Sequence, residues 1–177
     1  MTTENAYSRF IRKGMEHSQG VVEASNLALS VSGILARENT KAAIKAAHHV
    51  GASSHVIQSV ILKDMNDLGF TSEKKGLFAD YKVTGIRPDY FKPQKDGGIL
   101  FEVERGKTIA NNMDLLDLWK THICKEAQHL FLLVPLIRVT EKGSEQKIFN
   151  SVVNRVSTFF HEDLSPIDVA SVHIFGY

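Results

Sequence analysis

The sequence predicts a single mixed α/β domain. Residues 1–70 are rich in alanine and carry apolar residues at three- and four-residue spacing, which is typical of helices. Residues 70–105 change to short runs of aromatic and β-branched residues broken by glycines, which favours strands. Helical and strand patterns alternate again after residue 108. The chain of 177 residues is 43% hydrophobic, which is enough for one full core, and no linker or internal repeat divides it.

Three helices are expected in the first seventy residues. The clearest covers residues 54–68, because Ile57, Ile61 and Met65 lie on one face and Gly69 ends the pattern. We therefore predict one domain over residues 1–177, composed of a helical N-terminal extension over residues 1–53 and a core over residues 54–177.

The core pattern begins with strands. Residues 70–92 are predicted to contain two strands and residues 99–105 a third, with a strong turn signal, QKDGG, before the third, so that residues 87–105 form a hairpin. A helix is expected after Asn111 or Asn112. The apolar run of residues 129–137 then predicts a central strand, followed by a helix over residues 145–160 and a strand over residues 169–175.

Charge and composition exclude several classes of protein. The net charge is only +1, so any contact with DNA has to come from a local basic surface. The single cysteine, Cys124, excludes an internal disulfide and a multi-cysteine zinc site and suits a reducing cytoplasm. No apolar run approaches the roughly 18 to 20 residues that cross a bilayer, and the first residues do not resemble a signal peptide. We expect a soluble cytoplasmic protein with no membrane partner.

Three acids of the hairpin form the main candidate site. Strand pleating directs Glu102 and Glu104 to the same face, with backbone positions roughly 6.5 to 7 Å apart. Burying either carboxylate without a positive partner would cost several kcal/mol, on the order of known desolvation penalties. Asp89 lies on the neighbouring strand with twelve residues between it and Glu102, within reach of an ion bound there. Oxygen ligands without a Cys or His cluster favour Mg²⁺ or Mn²⁺ over zinc.

Pro88 and Asp89, followed by Glu102 and Glu104, resemble the signature of the PD-(D/E)XK nuclease superfamily. That signature is Pro-Asp, a hairpin, then an acid, one further residue and a lysine. The order of helix, three-strand meander, helix and strand over residues 54–137 also resembles the superfamily's restriction endonuclease-like core, here with an extra N-terminal helical segment. Glu104 stands where most members have lysine, and in this it is similar to some restriction enzymes of the superfamily.

The resemblance implies a Mg²⁺-dependent DNA endonuclease of a restriction, mobile-element or recombination system. Asp89 and Glu102 would be the metal ligands, and Glu104 would orient or activate water. The missing cation would be Lys107 or Lys120, between which the sequence does not choose. An upstream acid often joins such sites, and Asp64, Asp67 and Glu73 are its candidates. Cutting both strands of a duplex with one site per chain implies a homodimer.

Other interpretations compete with the nuclease. Alternating acids on a strand are also typical of an edge hairpin with a solvated outer face. Residues 40–68 have the rhythm of a helix-turn-helix with a possible β wing, and the basic stretch of residues 41–55 suits contacts with phosphates. A non-catalytic DNA- or protein-binding module, winged-helix-like or a degenerate nuclease fold, is therefore the alternative, together with a plasmid replication or mobilisation protein. Trp119 is expected to be a core anchor of its helix.

Overall fold

The protein is a mixed α/β structure in which one sheet separates two layers of helices. A computed structural model describes residues 6–48, 53–82, 85–105, 107–139, 143–161 and 167–177. The α-helices in these ranges are Gln19–Ala36 (α1), Glu38–Ala47 (α2), Ser54–Asp67 (α3), Met113–Ile123 (α4) and Ile148–Ser157 (α5). The strands are Tyr7–Ile11 (β1), Thr71–Ser72 (β2), Tyr90–Lys92 (β3), Gly98–Val103 (β4), Ala127–Val134 (β5), Arg138–Val139 (β6), Glu145–Gln146 (β7) and Ser171–Gly176 (β8).

The main sheet has six strands in the order β1-β8-β5-β4-β3-β2. Its centre, β4, β5 and β8, is parallel. The outer strands β1, β3 and β2 are added antiparallel to their neighbours. A parallel centre needs helical crossovers, and α4 and α5 supply them between β4, β5 and β8. The three central strands are almost entirely buried, which explains their continuous apolar sequence.

Each face of the sheet has its own core. On one face α1, α2 and α3 pack around Phe101 and Phe131, and on the other α4 and α5 pack around Leu100 and Leu132. The prediction that Leu100 and its neighbours in β4 alternate between faces is confirmed, because Phe101 lies in the first core and Leu100 in the second. The face bearing α4 is the one on which Glu102 lies.

The N-terminal segment differs from its prediction. It contains the three expected helices, but residues 7–11, expected to be helical, form the edge strand β1, which pairs Tyr7 with Phe175. Ala24, Ala28 and Val31 of α1 lie in the same buried cluster as Phe101. The prediction of a purely helical segment was wrong because β1 is stabilised by pairing with the far end of the chain, which local periodicity does not reveal.

Smaller differences concern the ends of elements. The predicted hairpin is present as β3 and β4, with Gly97 at φ 89° in its turn, where a side chain would meet that of Gln128. The strand predicted over residues 99–105 ends at Val103, and the helix predicted over residues 145–160 is α5 preceded by the short strand β7. Cys124 immediately follows α4 and is buried. No helix in the described part of the chain is long and apolar enough to cross a membrane.

Candidate active site

The β3–β4 hairpin holds Asp89 and Glu102 against each other. Tyr90 pairs with Phe101, so that Asp89, just before β3, lies beside Glu102 near the end of β4. The backbone N–H of Asp89 donates to Oε2 of Glu102 at 3.2 Å, and the backbone N–H of Val103 donates to Oδ2 of Asp89 at 2.7 Å. Each strand thus fixes the carboxylate of the other, and both side chains are held at the carboxyl end of β4.

Helix α4 brings a cation and another acid to the same place. Lys120 Nζ donates to Oε1 of Glu102 at 2.8 Å and to Oδ1 of Asp117 at 3.1 Å. Asp117 and Lys120 are three residues apart, which places them on one helix face. The side chain of Lys120 is 17% exposed and that of Asp117 only 1%, so the ion pairs are largely shielded from water.

Glu104 completes the group just beyond β4. Its backbone N–H donates to the carbonyl of Leu133 at 2.8 Å, which extends the pairing with β5 by one residue. Its side chain interacts with that of Asp117. We call Asp89, Glu102, Glu104, Asp117 and Lys120 the carboxylate–lysine cluster. Four carboxyl groups thus share one ammonium group in a poorly hydrated place.

The excess charge and burial shift the titration of these groups. Burial raises the pKa of Asp89 to about 6. Burial, with the neighbouring charges of Asp117 and Asp89, raises the pKa of Glu104 to about 9. The pKa values of Glu102 and Asp117 are also raised by burial. Burial alone would lower the pKa of Lys120, but Glu102 and Asp117 outweigh it and raise that pKa. Lys120 is therefore charged at neutral pH, and Glu104 holds a proton.

Oδ2 of Asp117 is buried, and no donor among the described residues bonds to it. A proton shared with Glu104 can satisfy it, which agrees with the raised pKa of Glu104. A cation can do the same.

The donor set fits a hard divalent cation. All ligand atoms are carboxylate oxygens, and Mg²⁺ is commonly held by one or two carboxylates together with water and substrate phosphate. No group of three or more His, Cys, Asp and Glu side chains in the described ranges could hold a metal ion. Asp89 and Glu102 are the pair of carboxylates that would hold one, and Lys120 would share Glu102 with the ion.

The remaining residues that were predicted for the site lie outside the carboxylate–lysine cluster, at different distances from it. Lys107, the rival of Lys120, is exposed, whereas Lys120 contacts Glu102. Asp64 pairs with Arg37 at 2.7 Å, and Asp67 pairs with Lys63 at 2.9 Å. Glu73 is the upstream acid nearest to Asp89: its N–H donates to the carbonyl of Asp89 at 2.9 Å, and its charge contributes to the raised pKa of Asp89.

Glu73 also has an unusual backbone. Its φ is 46°, in the left-handed region that non-glycine residues rarely adopt. Its side chain lies 3.6 Å from the guanidinium group of Arg87. Such conformations cost about 1 to 3 kcal/mol and concentrate at functional sites. Glu73 therefore adjoins Asp89 through its backbone, while its carboxylate pairs with Arg87.

Sequence analysis missed Asp117 and the contacts that orient α4. Arg155 of α5 lies 3.3 Å from Oδ2 of the buried Asp114, and it donates to the carbonyl of Ile109 at 3.2 Å and to Asn112 Oδ1 at 2.6 Å. These contacts fix the start of α4 and with it the approach of Lys120. A detectable signal existed, because Asp114, Asp117 and Thr121 recur at the spacing of a single helix face.

Trp119 was expected inside the core, and this prediction was wrong. Its side chain is 51% exposed, and Leu116 is 48% exposed. Helix α4 instead buries Asp114, Asp117, Leu118 and Thr121. The acids face inward because Lys120 and Arg155 pair with them there, and the tryptophan consequently faces solvent.

The predicted helix-turn-helix corresponds to α2 and α3. Residues 49–52, within its turn, lie outside the described residues. Ile57, Ile61 and Met65 of α3 are buried in the core beneath the sheet. Lys41 of α2 pairs with Glu38 at 3.3 Å, and Lys45 is exposed.

A second buried polar cluster lies on the opposite face of the sheet. Tyr7 Oη is 2.7 Å from His173 Nδ1, Ser171 Oγ is 3.1 Å from His173 Nε2, and His129 Nδ1 is 2.8 Å from Ser171 Oγ. Burial lowers the pKa of His129 to about 4 and the pKa of His173 to about 3. Tyr7, His129, Ser171 and His173, the histidine cluster below, are therefore neutral at physiological pH.

Comparison with protein-family models and curated proteins gives no relative of this chain. The sequence matches no protein-family model and, at a significant level, no curated protein.

Proposed function

We propose that this chain is a divalent-metal-dependent endodeoxyribonuclease that hydrolyses phosphodiester bonds in a restriction, mobile-element or recombination system. The observation that carries the proposal is the 2.8 Å contact of Lys120 Nζ with Glu102, on the hairpin that also holds Asp89. Two acids and a lysine at the end of one buried strand resemble the site of the PD-(D/E)XK superfamily. The order α3, β2, β3, β4, α4, β5 supports the same resemblance.

The residues of the cluster have separate roles in this proposal. Asp89 and Glu102 would hold one Mg²⁺ or Mn²⁺ through their carboxylate oxygens. When bound, such an ion polarises the scissile phosphate and lowers the pKa of water. Lys120 opposes the effect of burial on the pKa of Glu102 and would donate a charge-assisted hydrogen bond to a phosphate oxygen.

Glu104 is the candidate base. In its ionised form it accepts the proton of the attacking water, whose oxygen forms the new bond to phosphorus while the bond from phosphorus to the leaving oxygen breaks. A proton held by Glu104, as its raised pKa indicates, blocks this step. The proposal therefore requires positive charge at the cluster before catalysis, because that charge favours the ionised carboxylate.

The proposed enzyme acts as a homodimer on duplex DNA. One cluster per chain cuts one strand, and two chains related by a two-fold axis present two clusters to the two strands. Sedimentation of the protein with and without duplex DNA measures this stoichiometry directly.

The test is DNA cleavage by matched variants. Supercoiled and single-stranded DNA are incubated with the protein and Mg²⁺ or Mn²⁺, beside Asp89→Ala, Glu102→Gln and the surface control Glu145→Gln, whose side chain is exposed on β7. We expect cleavage by the wild type and the control, a loss of about a hundredfold or more in both site variants, and no cleavage with chelator. Equal cleavage by all four proteins, or none under any condition, would remove the proposal.

One observation favours a second candidate, a binding module that no longer cuts. Lys120 already neutralises part of the charge on Glu102 and Asp117, and Glu104 replaces the usual lysine. Such a degenerate nuclease fold would bind DNA or protein without hydrolysis, as would a winged-helix-like or plasmid replication protein using α2 and α3. It predicts DNA binding unaffected by Glu102→Gln and no cleavage by the wild type.

A further inference from the structure

Asp117 is the acid of the carboxylate–lysine cluster that neither binds the ion nor acts as the base in the proposed hydrolysis. It lies on α4, and its side chain is 1% exposed. Its Oδ1 accepts a hydrogen bond from Lys120 Nζ at 3.1 Å, while the same ammonium group donates to Oε1 of Glu102 at 2.8 Å. Lys120 is thus held between two carboxylates that come from different elements, the helix and the sheet.

Helix α4 offers Lys120 an acceptor in a fixed position. A lysine side chain has a flexible four-carbon stem, so one hydrogen bond fixes its ammonium group only loosely. Asp117 precedes Lys120 by three residues, which places the two side chains on one face of the helix. Arg155 of α5 contacts Asp114 and Asn112 near the start of the same helix. The position of α4, and with it that of the Asp117 carboxylate, is therefore set by packing against a second helix.

Glu102 alone would hold Lys120 poorly during the proposed reaction. Its carboxylate belongs to the pair that would hold the divalent ion, so the ammonium group and the ion would compete for it, and like charges at close range repel each other. Asp117 lies outside that pair. It is therefore placed to keep Lys120 beside the scissile phosphate while Glu102 is occupied.

Burial of Asp117 has a cost that an ion pair between Lys120 and Glu102 does not require. Lys120 and Glu102 balance each other's charge without a third group. Asp117 adds a second buried acid whose Oδ2 has no donor among the described residues, and desolvating such a group is unfavourable. An acid kept at this cost, in contact with the lysine of the candidate site, indicates a role in function.

We propose that Asp117 is a positioning residue, which holds the ammonium group of Lys120 in place for its contact with the scissile phosphate and touches neither substrate nor ion. The inference rests on the proposed function, in which Lys120 makes that contact. A reacting site tolerates little displacement of such a group, and a second layer of contacts on a rigid helix supplies the required precision.

The first measurement needs neither metal nor DNA. Proton–nitrogen correlation spectra of the full chain, isotope-labelled at the lysine side-chain nitrogen, detect ammonium groups that are held by hydrogen bonds and exchange slowly with water. Lys120→Arg assigns the signal of Lys120. We expect this signal in the wild type and its loss in Asp117→Ala, with the other backbone signals of the sheet retained.

The matched control for this spectrum is Asp80→Asn. It removes the acceptor of Lys125, an exposed Asp–Lys pair away from the cluster, and should leave the Lys120 signal as it is in the wild type. A Lys120 signal as intense in Asp117→Ala as in the wild type would overturn the proposal, and so would a wild type in which Lys120 gives no signal.

The second measurement separates kcat from KM for DNA cleavage with Mg²⁺. We expect Asp117→Ala to lose about a hundredfold in kcat, the size of effect that a displacement of about 1 Å produces. KM should stay close to that of the wild type, because Asp117 does not contact DNA. Asp117→Asn should be intermediate in kcat, since it keeps the shape and a neutral, weaker acceptor. Asp80→Asn should cleave as the wild type does, and a rise in KM with unchanged kcat in Asp117→Ala would contradict positioning.

The outcomes separate this inference from the proposed function. If Asp117→Ala cleaves as fast as the wild type while Asp89→Ala does not cleave, the positioning role is removed and the nuclease stands. If the Lys120 signal depends on Asp117 but no protein cleaves DNA, the nuclease is removed and the positioning of Lys120 by Asp117 stands.

Discussion

The carboxylate–lysine cluster and the histidine cluster are both buried, yet they differ in how their charge is balanced. The first gathers four acids around Lys120, and burial raises the pKa of each acid. The second contains only neutral groups joined by hydrogen bonds, and burial lowers the pKa of both histidines. One cluster attracts positive charge, and the other excludes it.

This difference supports the proposal that the carboxylate–lysine cluster is the functional site. Buried polar groups that serve structure are hydrogen-bonded and avoid net charge, because desolvating an unbalanced charge is expensive. The histidine cluster avoids net charge, although His129 Nε2 has no hydrogen-bond partner among the described residues. The carboxylate–lysine cluster departs further from the rule, because it gathers four acids around one cation and Asp117 Oδ2 has no donor among the described residues. Such violations are expected at functional sites.

The largest expected effect comes from removing the cation of the charged cluster. Lys120→Met leaves Glu102 and Asp117 buried without their shared partner, and we expect a loss of about 3 to 5 kcal/mol in the free energy of unfolding at pH 7. Chemical denaturation measures it. Lys125→Met is the control, because Lys125 and Asp80 form an exposed pair, each side chain 71% accessible, and it should leave the denaturation midpoint unchanged. Equal effects of the two substitutions would show that the cluster holds no unbalanced charge.

The histidine cluster should make the protein acid-sensitive. The pKa of His129 is lowered to about 4 and that of His173 to about 3, so between pH 6.5 and pH 4 the unfolded chain binds more protons than the folded one. The free energy of unfolding is therefore highest above pH 6.5 and decreases as the pH is lowered, by about 2 kcal/mol per histidine at pH 5. Denaturation from pH 7 to pH 5 measures this. His173→Gln should flatten the slope and the exposed His17→Gln should not; a wild type that gains stability on acidification would contradict the account.

The carboxylate–lysine cluster should make the protein less stable at alkaline pH, whereas the histidine cluster makes it less stable at acidic pH. The pKa of Glu104 is raised to about 9, so between pH 4.5 and pH 9 the folded chain binds more protons than the unfolded one. Stability from this group is full below pH 4.5 and is lost as pH rises towards 9. Glu104→Gln removes the loss, and we expect it to be more stable than wild type at pH 8, with no gain at pH 4.5.

Thermal denaturation of Glu104→Gln at both pH values, beside the exposed control Glu145→Gln, measures this effect. A gain of the same size at both pH values would mean that Glu104 is ionised throughout and that no proton is shared with Asp117.

Local patterns predicted the hairpin, the alternating faces of β4 and the placement of Asp89 next to Glu102. These features depend on turn residues and strand periodicity within about twenty residues of one another. Such local patterns can be recognised directly in the sequence. Local patterns did not show whether Lys107 or Lys120 contacts Glu102. That contact depends on how α4 packs on the sheet, and α4 is oriented by Arg155 from a helix more than thirty residues away.

Long-range pairing accounts for the remaining differences. Strand β1 exists because Tyr7 and its neighbours pair with the last strand of the chain, and no local signal encodes that partner. Trp119 is exposed and Asp117 is buried, which is the reverse of what apolar periodicity alone indicates for an aromatic residue and an acid on a helix. The reversal occurs on α4, which contributes Asp117 and Lys120 to the candidate site. Rules of apolar periodicity are expected to fail at such sites.

Metal binding at Asp89 and Glu102 is the most direct test of the central claim that the carboxylate–lysine cluster is a catalytic metal site. Crystals of the wild type and of Asp89→Ala are soaked in Mn²⁺ and examined by anomalous diffraction. We expect one peak between the Asp89 and Glu102 carboxylates of the wild type, with oxygen ligands at about 2.1 Å, and its loss in the variant. A cluster without a peak, with Lys120 still bound to Glu102, or a peak that persists in Asp89→Ala, would contradict it.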